Sequence, residues 1–124
     1  MTSNASHIQI QRVYETSHAT GGTYVLVDRL WPRGLRKEQA PFALWIKDVA
    51  PSQTLRHWFG HRPERWEEFR RRYREELDTQ PEAMAPLLAL ARQGPLILLY
   101  AARDKEHNNA VVLADYLRQR LSEK

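Results

Sequence analysis

The sequence predicts a single α/β domain, on the basis of three observations. Residues 96–101 form a continuous apolar run, which is typical of a central strand buried on both faces of a helix-covered sheet. Over residues 63–77, apolar side chains recur at the three- and four-residue steps of an amphipathic helix, at Trp66, Phe69, Tyr73 and Leu77. The 124 residues contain no repeat, linker or low-complexity tract, so we expect one domain over residues 1–124, with a flexible N-terminus at residues 1–6.

Two strands precede the helices. Residues 8–14 alternate between apolar and polar side chains, as a half-buried strand does, and residues 24–30 form a second strand. Residues 15–23 form a loop between them, and Pro32 and Gly34 end the second strand. A connection this short favours antiparallel pairing, because a parallel crossover usually needs about a dozen residues or more.

The remaining elements are helices on either side of the apolar strand, which gives the order β, β, several α, β, α. Ser52 is the expected N-cap of a short helix. A longer helix begins at Pro81 and ends before Gly94, with proline and glycine at the positions that each prefers. Asn108 or Asn109 caps the last helix, whose apolar face is formed by Ala110, Leu113, Ala114, Leu117 and Leu121.

The composition excludes several classes of protein. The absence of cysteine excludes a disulfide scaffold, a thiolate nucleophile and a cysteine-based zinc site. No apolar run approaches the roughly 20 residues that span a bilayer, and residues 1–6 lack a signal-peptide core, so we expect a cytoplasmic protein without a membrane partner. The net charge of +4 is concentrated between Arg29 and Arg62, where seven basic residues accompany two acidic ones. Such local positive charge attracts anions.

The candidate site lies where two strands run into arginines. Arg29 and Arg33 end the strand at residues 24–30 or follow it, and Arg103 follows the apolar strand. In open α/β sheets, ligands bind outside the carboxyl ends of strands, and guanidinium groups match phosphate or carboxylate in a bidentate manner. We therefore expect a small anionic ligand, phosphate-containing or nucleotide-like, to bind there. The residues expected to bind it are Asp28, Arg29, Trp31, Arg33, Lys47, Arg103 and Asn108.

Other interpretations of these residues remain open. Arg29 could instead form an ion pair with Asp28 or Asp48 that only locks the corner. A tryptophan such as Trp31 more often anchors packing than stacks on a ligand. If a reaction follows binding, His107 or Asp48 is the candidate general acid or base of a hydrolysis or transfer, although His107 could simply donate to a backbone carbonyl. The sequence leaves open whether the protein is an enzyme.

Neither a cofactor nor a metal ion is predicted. Both glycine-rich phosphate-binding fingerprints, those of dinucleotide-binding and P-loop proteins, are absent from the sequence. His57 and His61 are spaced to share a metal ion, but the rest of a ligand set is missing.

Two other classes of function remain as alternatives. One is a nucleic-acid-binding or regulatory module in which Trp31 and Trp58 stack on bases, and the other is a protein-interaction domain without catalysis. The arginine run at residues 70–72 does not add to the first. Glutamates lie four residues before and four residues after both Arg71 and Arg72, which predicts a helix face that pairs its own charges.

Three motifs along the chain carry a resemblance to a known family. They are LVDRLWPRG at residues 26–34, WIKDVAPS at residues 45–52 followed by Leu55 and Arg56, and LLYAA at residues 98–102. All three resemble the YeaO-like family of small bacterial proteins, which is assigned to a domain of unknown function. The resemblance extends over nearly the whole chain. It implies a Rossmann-like, mostly parallel sheet flanked by helices, and we adopt this in place of antiparallel pairing.

The chain departs from the wider group at one position that bears on chemistry. Longer members of the wider group carry a Cys-His-Arg triplet before the last helix, where this chain has Glu106, His107 and Asn108. Any reaction of those longer members that needs the cysteine or the arginine is therefore not expected of this chain. The family brings no established activity, so the resemblance implies a fold rather than a reaction.

Overall fold

Four parallel strands and four α-helices form the regular structure of residues 7–16 and 21–122, the part of the chain that the computed structural model describes. The strands are β1 (Ile8–Arg12), β2 (Thr23–Leu26), β3 (Leu44–Trp45) and β4 (Leu96–Tyr100). The helices are α1 (Gln53–Phe59), α2 (Trp66–Asp78), α3 (Pro81–Gln93) and α4 (Asn109–Ser122). The N-terminus that we expect to be flexible, residues 1–6, lies outside the described residues.

The order of the strands across the sheet is β1-β4-β2-β3, and every neighbouring pair is parallel. Leu96 of the central strand lies opposite Ile8 on one side and Thr23 on the other. The parallel α/β sheet that the resemblance implies is therefore confirmed. The antiparallel pairing predicted from the short connection is wrong, because β4 lies between β1 and β2 and pairs with both.

The strand boundaries differ in part from the prediction. β1 ends at Arg12 and passes into a 3₁₀ turn at Val13–Glu15, and β2 ends at Leu26, so the predicted continuation of β2 is a corner. The short edge strand β3 was not predicted. It is held by the N–H groups of Ala43 and Ile46, which donate to carbonyl oxygens of β2 at 3.2 and 3.0 Å.

All five residues of β4 are buried, which confirms the central strand predicted from the apolar run. Leu96 and its alternate neighbours belong to a core that includes buried side chains from all four helices. On the other face of the sheet, Ile97 and Leu99 pack beneath Leu35 and Phe42, which lie in the irregular segment between β2 and β3. The helices thus cover one face, and irregular chain covers the other.

Caps and packing set the limits of the helices. The predicted N-cap Ser52 accepts the N–H of Leu55 at 3.1 Å, and Gly60, with φ of 54°, ends α1. Residues Pro63–Arg65 form a 3₁₀ turn, so α2 begins later than predicted, at Trp66. Of the predicted stripe of α2, Phe69, Tyr73 and Leu77 are buried and Trp66 is half-buried. Each fully buried side chain of this kind stabilises the fold by about 1.5–3 kcal/mol. No helix among the described residues is long and apolar enough to span a membrane.

The exposed face of α2 pairs its own charges, as its sequence predicts. Arg71 lies 2.8 Å from Glu75, and Arg72 lies 2.7 Å from Glu68. The expected pair between Arg72 and Glu76 is replaced by another contact, because Glu76 accepts the hydroxyl of the α1 cap instead. The arginine run therefore neutralises neighbouring glutamates rather than forming an uncompensated positive surface.

Candidate functional site

A cleft of about 750 Å³ opens at the carboxyl ends of β2 and β4, beside the beginning of α4. This is the position that the sequence predicts for the ligand. Seven of the nine predicted site residues line the cleft. They are Asp28, Arg29, Trp31, Arg33, Arg103, His107 and Asn108. The other two, Lys47 and Asp48, do not line it.

Asp28 joins the two strand ends at the floor of the cleft. Its Oδ2 accepts the backbone N–H of Ala101 at 2.9 Å, and the side-chain amide of Asn109 donates to the carbonyl of Val27 at 3.2 Å. Burial raises the pKa of the Asp28 carboxyl, while the hydrogen bonds from Ala101 and Asn109 oppose that rise. Arg56 and His61 act on this carboxyl in the same opposing direction, by their positive charge.

Arg29 reaches across the cleft to backbone rather than to a carboxylate. Its Nε and Nη2 approach the carbonyl oxygens of Pro51 and Ala50, each at 3.4 Å, and the side chain is half-buried. Within the described residues Arg29 makes no ion pair, so the alternative pairing with Asp28 or Asp48 is not formed. Contacts of this length leave the charge of the guanidinium uncompensated.

Three more arginines line the cleft. Arg33 and Arg103 come from the two strand ends, and Arg56 comes from α1. All three are exposed, and none forms an ion pair with any residue that the structure describes. The turn that carries Arg33 is fixed by the hydroxyl of Tyr14, which donates to the Arg33 carbonyl at 2.7 Å, and by Gly34, whose φ of 78° favours glycine.

His107 is held in place by a carboxylate. Its Nδ1 lies 2.8 Å from Oδ2 of Asp104, and its ring makes a T-shaped contact with that of Trp66 at a centroid distance of 5.1 Å. Asp104 accepts the backbone N–H groups of Glu106 and His107 through its other oxygen. These N–H groups and the imidazole lower the pKa of the Asp104 carboxyl, with the Glu106 N–H contributing most. A histidine oriented in this way through Nδ1 is arranged for proton transfer at Nε2.

Asn108 caps α4, as one of the two predicted alternatives requires. Its Oδ1 accepts the N–H of Val111 at 3.1 Å, and its Nδ2 donates to the carbonyl of Asp104 at 2.9 Å. Only 3% of the residue is exposed, so its side chain holds the loop to the helix. Any contact with a ligand at this position would therefore come from backbone N–H groups at the beginning of α4.

Trp31 is packed within the protein on several sides. Its Nε1 donates to the carbonyl of Leu35 at 2.7 Å, and its ring makes edge contacts with Phe42 and Trp45 at centroid distances of 5.4 and 5.6 Å. This geometry favours the packing interpretation of Trp31 over the stacking one.

Lys47 and Asp48 lie in a short turn that directs both side chains to solvent. The next two residues of the turn, Val49 and Ala50, are buried, and this fixes the orientation of the turn. The Nζ of Lys47 lies 5.1 Å from the centre of the Trp45 ring. The structure therefore places neither residue at the cleft.

His61 and Arg56 were not among the predicted site residues, although both line the cleft. His61 has φ of 58°, the one positive value among the described non-glycine residues, and it follows Gly60 in the same left-handed region. Histidine tolerates this conformation better than most residues. The Gly60–His61 dipeptide after an amphipathic segment is the sequence signal for such a turn. His57, which has the spacing to share a metal ion with His61, does not line the cleft.

Three side chains near the cleft could together hold a metal ion, although none is predicted from the sequence. Asp104, Glu106 and His107 each offer a ligand atom within 4.8 Å of the others. The contacts of Asp104 with the backbone N–H of Glu106 and with Nδ1 of His107 already hold the three residues close together. The donor set therefore carries no proposal of a metal centre.

The comparisons with known proteins agree on one family. The family model described as "Inactive DUF488-N3 subclade" matches residues 7–124. The uncharacterised protein Rv3073c of Mycobacterium tuberculosis is 42% identical over 115 residues, which cover 93% of this chain and 97% of the relative. The uncharacterised protein YeaO of Escherichia coli is 39% identical over 112 residues, which cover 90% and 97%. No solved structure matches the chain.

These matches extend over nearly the whole chain and confirm the resemblance read from its motifs. The chain therefore belongs to the YeaO-like family of proteins with a domain of unknown function, within the subclade described as inactive.

Proposed function

We propose that this protein binds a small phosphate-containing anion in the cleft at the ends of β2 and β4. The guanidinium groups of Arg29, Arg33, Arg56 and Arg103 bind the anion, and the first turn of α4 supplies backbone N–H donors. Binding, rather than turnover, fits a subclade described as inactive.

The observation that carries the proposal is the contrast between two groups of arginines. On α2, Arg70, Arg71 and Arg72 are each within 3.1 Å of a glutamate oxygen. The four cleft arginines have no carboxylate partner among the described residues. Four guanidinium groups without an ion pair repel each other around one cleft, and a bound anion reduces that cost.

The carboxylates of the cleft do not cancel this positive charge. Among the described residues, Asp28 and Asp104 are the two carboxylates that line it, against four arginines. Both already accept backbone N–H groups, Asp28 from Ala101 and Asp104 from the turn before α4. The charge available to a ligand is therefore positive, which favours phosphate groups over cations.

A second candidate function is hydrolysis or transfer of a bound phosphate ester. The pairing of His107 with Asp104 favours it, because a carboxylate that orients an imidazole is a common arrangement for general acid–base catalysis. We rank it second, since the chain lacks the cysteine and arginine that longer relatives carry beside this histidine.

The test is a thermal-shift series at fixed ionic strength with phosphate, pyrophosphate, sugar phosphates, mononucleotides and short single-stranded DNA. A ligand at about 100 times its dissociation constant stabilises the fold by about 2.7 kcal/mol, which raises Tm by several degrees. We expect a shift from small phosphate compounds that is lost in Arg103→Ala. Arg92→Ala is the matched control, because Arg92 is an exposed arginine of α3 that does not line the cleft.

Three outcomes separate the alternatives. A shift that persists in Arg103→Ala and Arg29→Ala, or that disappears equally in Arg92→Ala, contradicts binding in the cleft. A shift from DNA alone, lost steeply with salt, favours the nucleic-acid module. Release of product from a phosphate ester by the wild type, abolished in His107→Ala, favours catalysis.

A further inference from the structure

The cleft offers more space than inorganic phosphate fills, and its lining is apolar as well as charged. Its volume of about 750 Å³ is in the range of sites that enclose whole organic molecules, roughly 300–1,000 Å³. Beside the arginines, it is lined by the apolar side chains of Leu30, Pro32, Phe59 and Phe69. Leu30 is 61% exposed at the rim, so a carbon skeleton bound there would cover it. This apolar wall, formed by Leu30, Pro32, Phe59 and Phe69, therefore fits a phosphate compound with a substantial organic part.

Asp28 adds a second requirement. An ionised carboxylate can accept about four hydrogen bonds, and the described residues supply Asp28 with donors from Ala101 and Asn109. Acceptor positions of Asp28 thus remain in a cleft whose lining also includes four arginines. A ligand that is all acceptor, such as pyrophosphate, would bring its negative charge beside this carboxylate. A ligand with a hydroxyl group would donate to it.

We infer that the ligand is a phosphomonoester whose carbon skeleton carries hydroxyl groups, with the phosphate on the arginines and one hydroxyl donating to Asp28. This inference rests on the proposed function and specifies the ligand class of the same site. Sugar phosphates and nucleotides share this chemistry. The apolar wall accommodates the face of a sugar ring or of a base.

The test uses pairs of ligands that differ only in their hydroxyl groups, measured by isothermal titration calorimetry. Ribose phosphate is paired with tetrahydrofurfuryl phosphate, and adenosine monophosphate is paired with its dideoxy counterpart. We expect the hydroxylated member of at least one pair to bind the wild type about tenfold more tightly, or more, because the analogue leaves the remaining acceptor positions of Asp28 without a donor from the ligand. The pair that shows the difference identifies the source, sugar phosphate or nucleotide.

Asp28→Asn is the diagnostic variant. Asparagine keeps an oxygen for the N–H of Ala101 but removes the negative charge. We expect the preference within the pair to fall several-fold and the affinity for pyrophosphate to rise. The comparison of ligand pairs uses the wild type, so it stands even if the variant does not fold.

The failures of the two proposals are distinguishable. Equal affinities within both pairs, with both members weakened by Arg103→Ala, overturn the hydroxyl requirement and leave anion binding intact. No measurable binding of any phosphate compound to the wild type overturns both. A preference within a pair that Asp28→Asn leaves unchanged shows that another residue selects the hydroxyl, and that result also overturns the inference.

Discussion

The carboxylate of Asp28 accepts the backbone N–H of Ala101 at 2.9 Å, across 73 residues of sequence. The bond joins the carboxyl ends of the neighbouring parallel strands β2 and β4, where the cleft opens. Parallel strands leave backbone groups unpaired where they end, and Asp28 satisfies one of them with a side chain that also faces the cleft. One residue thus stabilises the sheet and shapes the candidate site.

The raised pKa of Asp28 predicts how stability depends on pH. Because the folded protein binds this proton more readily than the unfolded chain does, Asp28 stabilises the fold at low pH. That contribution is lost as the pH rises from the ordinary aspartate range through the raised pKa. Asparagine does not titrate, so the Asp28→Asn variant does not lose this contribution. We therefore expect its free energy of unfolding, relative to that of the wild type, to increase over the same pH interval. Urea denaturation at a series of pH values measures the difference.

Asp104 provides the opposite case as a control. Its pKa is lowered by the N–H groups of the turn and by His107, so it stabilises the fold above the ordinary aspartate range and less as the pH falls. Asp104→Asn should therefore lose stability relative to the wild type at neutral pH and not in acid. If both variants changed with pH in the same direction, the account of Asp28 would be wrong.

Tyr73→Phe should destabilise the fold by about 1–2 kcal/mol, since the buried Tyr73 hydroxyl donates to the carbonyl of Val49 and the carbonyl would be left unpaired. Denaturant unfolding gives the value. Tyr14→Phe removes an exposed hydrogen bond, to the carbonyl of Arg33, and should cost less than about 0.5 kcal/mol. Equal losses in the two variants would contradict the role of burial.

Ser52→Ala should cost about 1–2 kcal/mol, because the hydroxyl both caps α1 and donates to Glu76 of α2 at 2.6 Å. Because α1 carries Arg56 to the cleft, we also expect the folded Ser52→Ala variant to bind the ligand more weakly than the wild type does. Thr54→Ala changes an exposed position on the same helix and is the control. A Ser52→Ala variant as stable as Thr54→Ala would show that the cap contributes nothing.

Gly34→Ala should cost about 1–2 kcal/mol through the backbone alone, because φ is 78° and no atom lies within 4 Å of the added methyl group. Gly94→Ala is a matched control, since it is equally open but has an extended backbone, with φ of 166°. We expect Gly94→Ala to be neutral or stabilising in thermal unfolding. A neutral Gly34→Ala would mean that the turn carrying Arg33 is not fixed by its glycine.

Local patterns in the sequence were sufficient to predict most of the fold. The apolar run of β4, the stripe of α2 and the caps at Ser52 and Asn108 depend on neighbouring residues, so each could be predicted from a short window. Strand pairing could not be predicted in this way. Here β4 lies between β1 and β2, and the length of the connection between β1 and β2 does not indicate this. The two-residue β3 is too short to show any periodicity.

The candidate site was predictable only in part, for the same reason. Arg29, Arg33 and Arg103 follow strand ends, which the pattern locates, and parallel strands bring those ends together. Arg56 enters the cleft from a helix, through packing that no local window contains. Asp48 resembled a site residue because it lies in a charged motif, yet burial of the residues after it directs its side chain outward.

The measurement that tests the central claim most directly is an amide NMR titration of isotope-labelled protein with a hydroxylated phosphomonoester such as ribose phosphate. We predict that the amide signals of Ala101, Arg103 and the first turn of α4 move together with one dissociation constant, and that Arg103→Ala abolishes the change while Arg92→Ala retains it. Shifts spread along the arginines of α2, or no shift at saturating phosphomonoester, would contradict an anion site in this cleft.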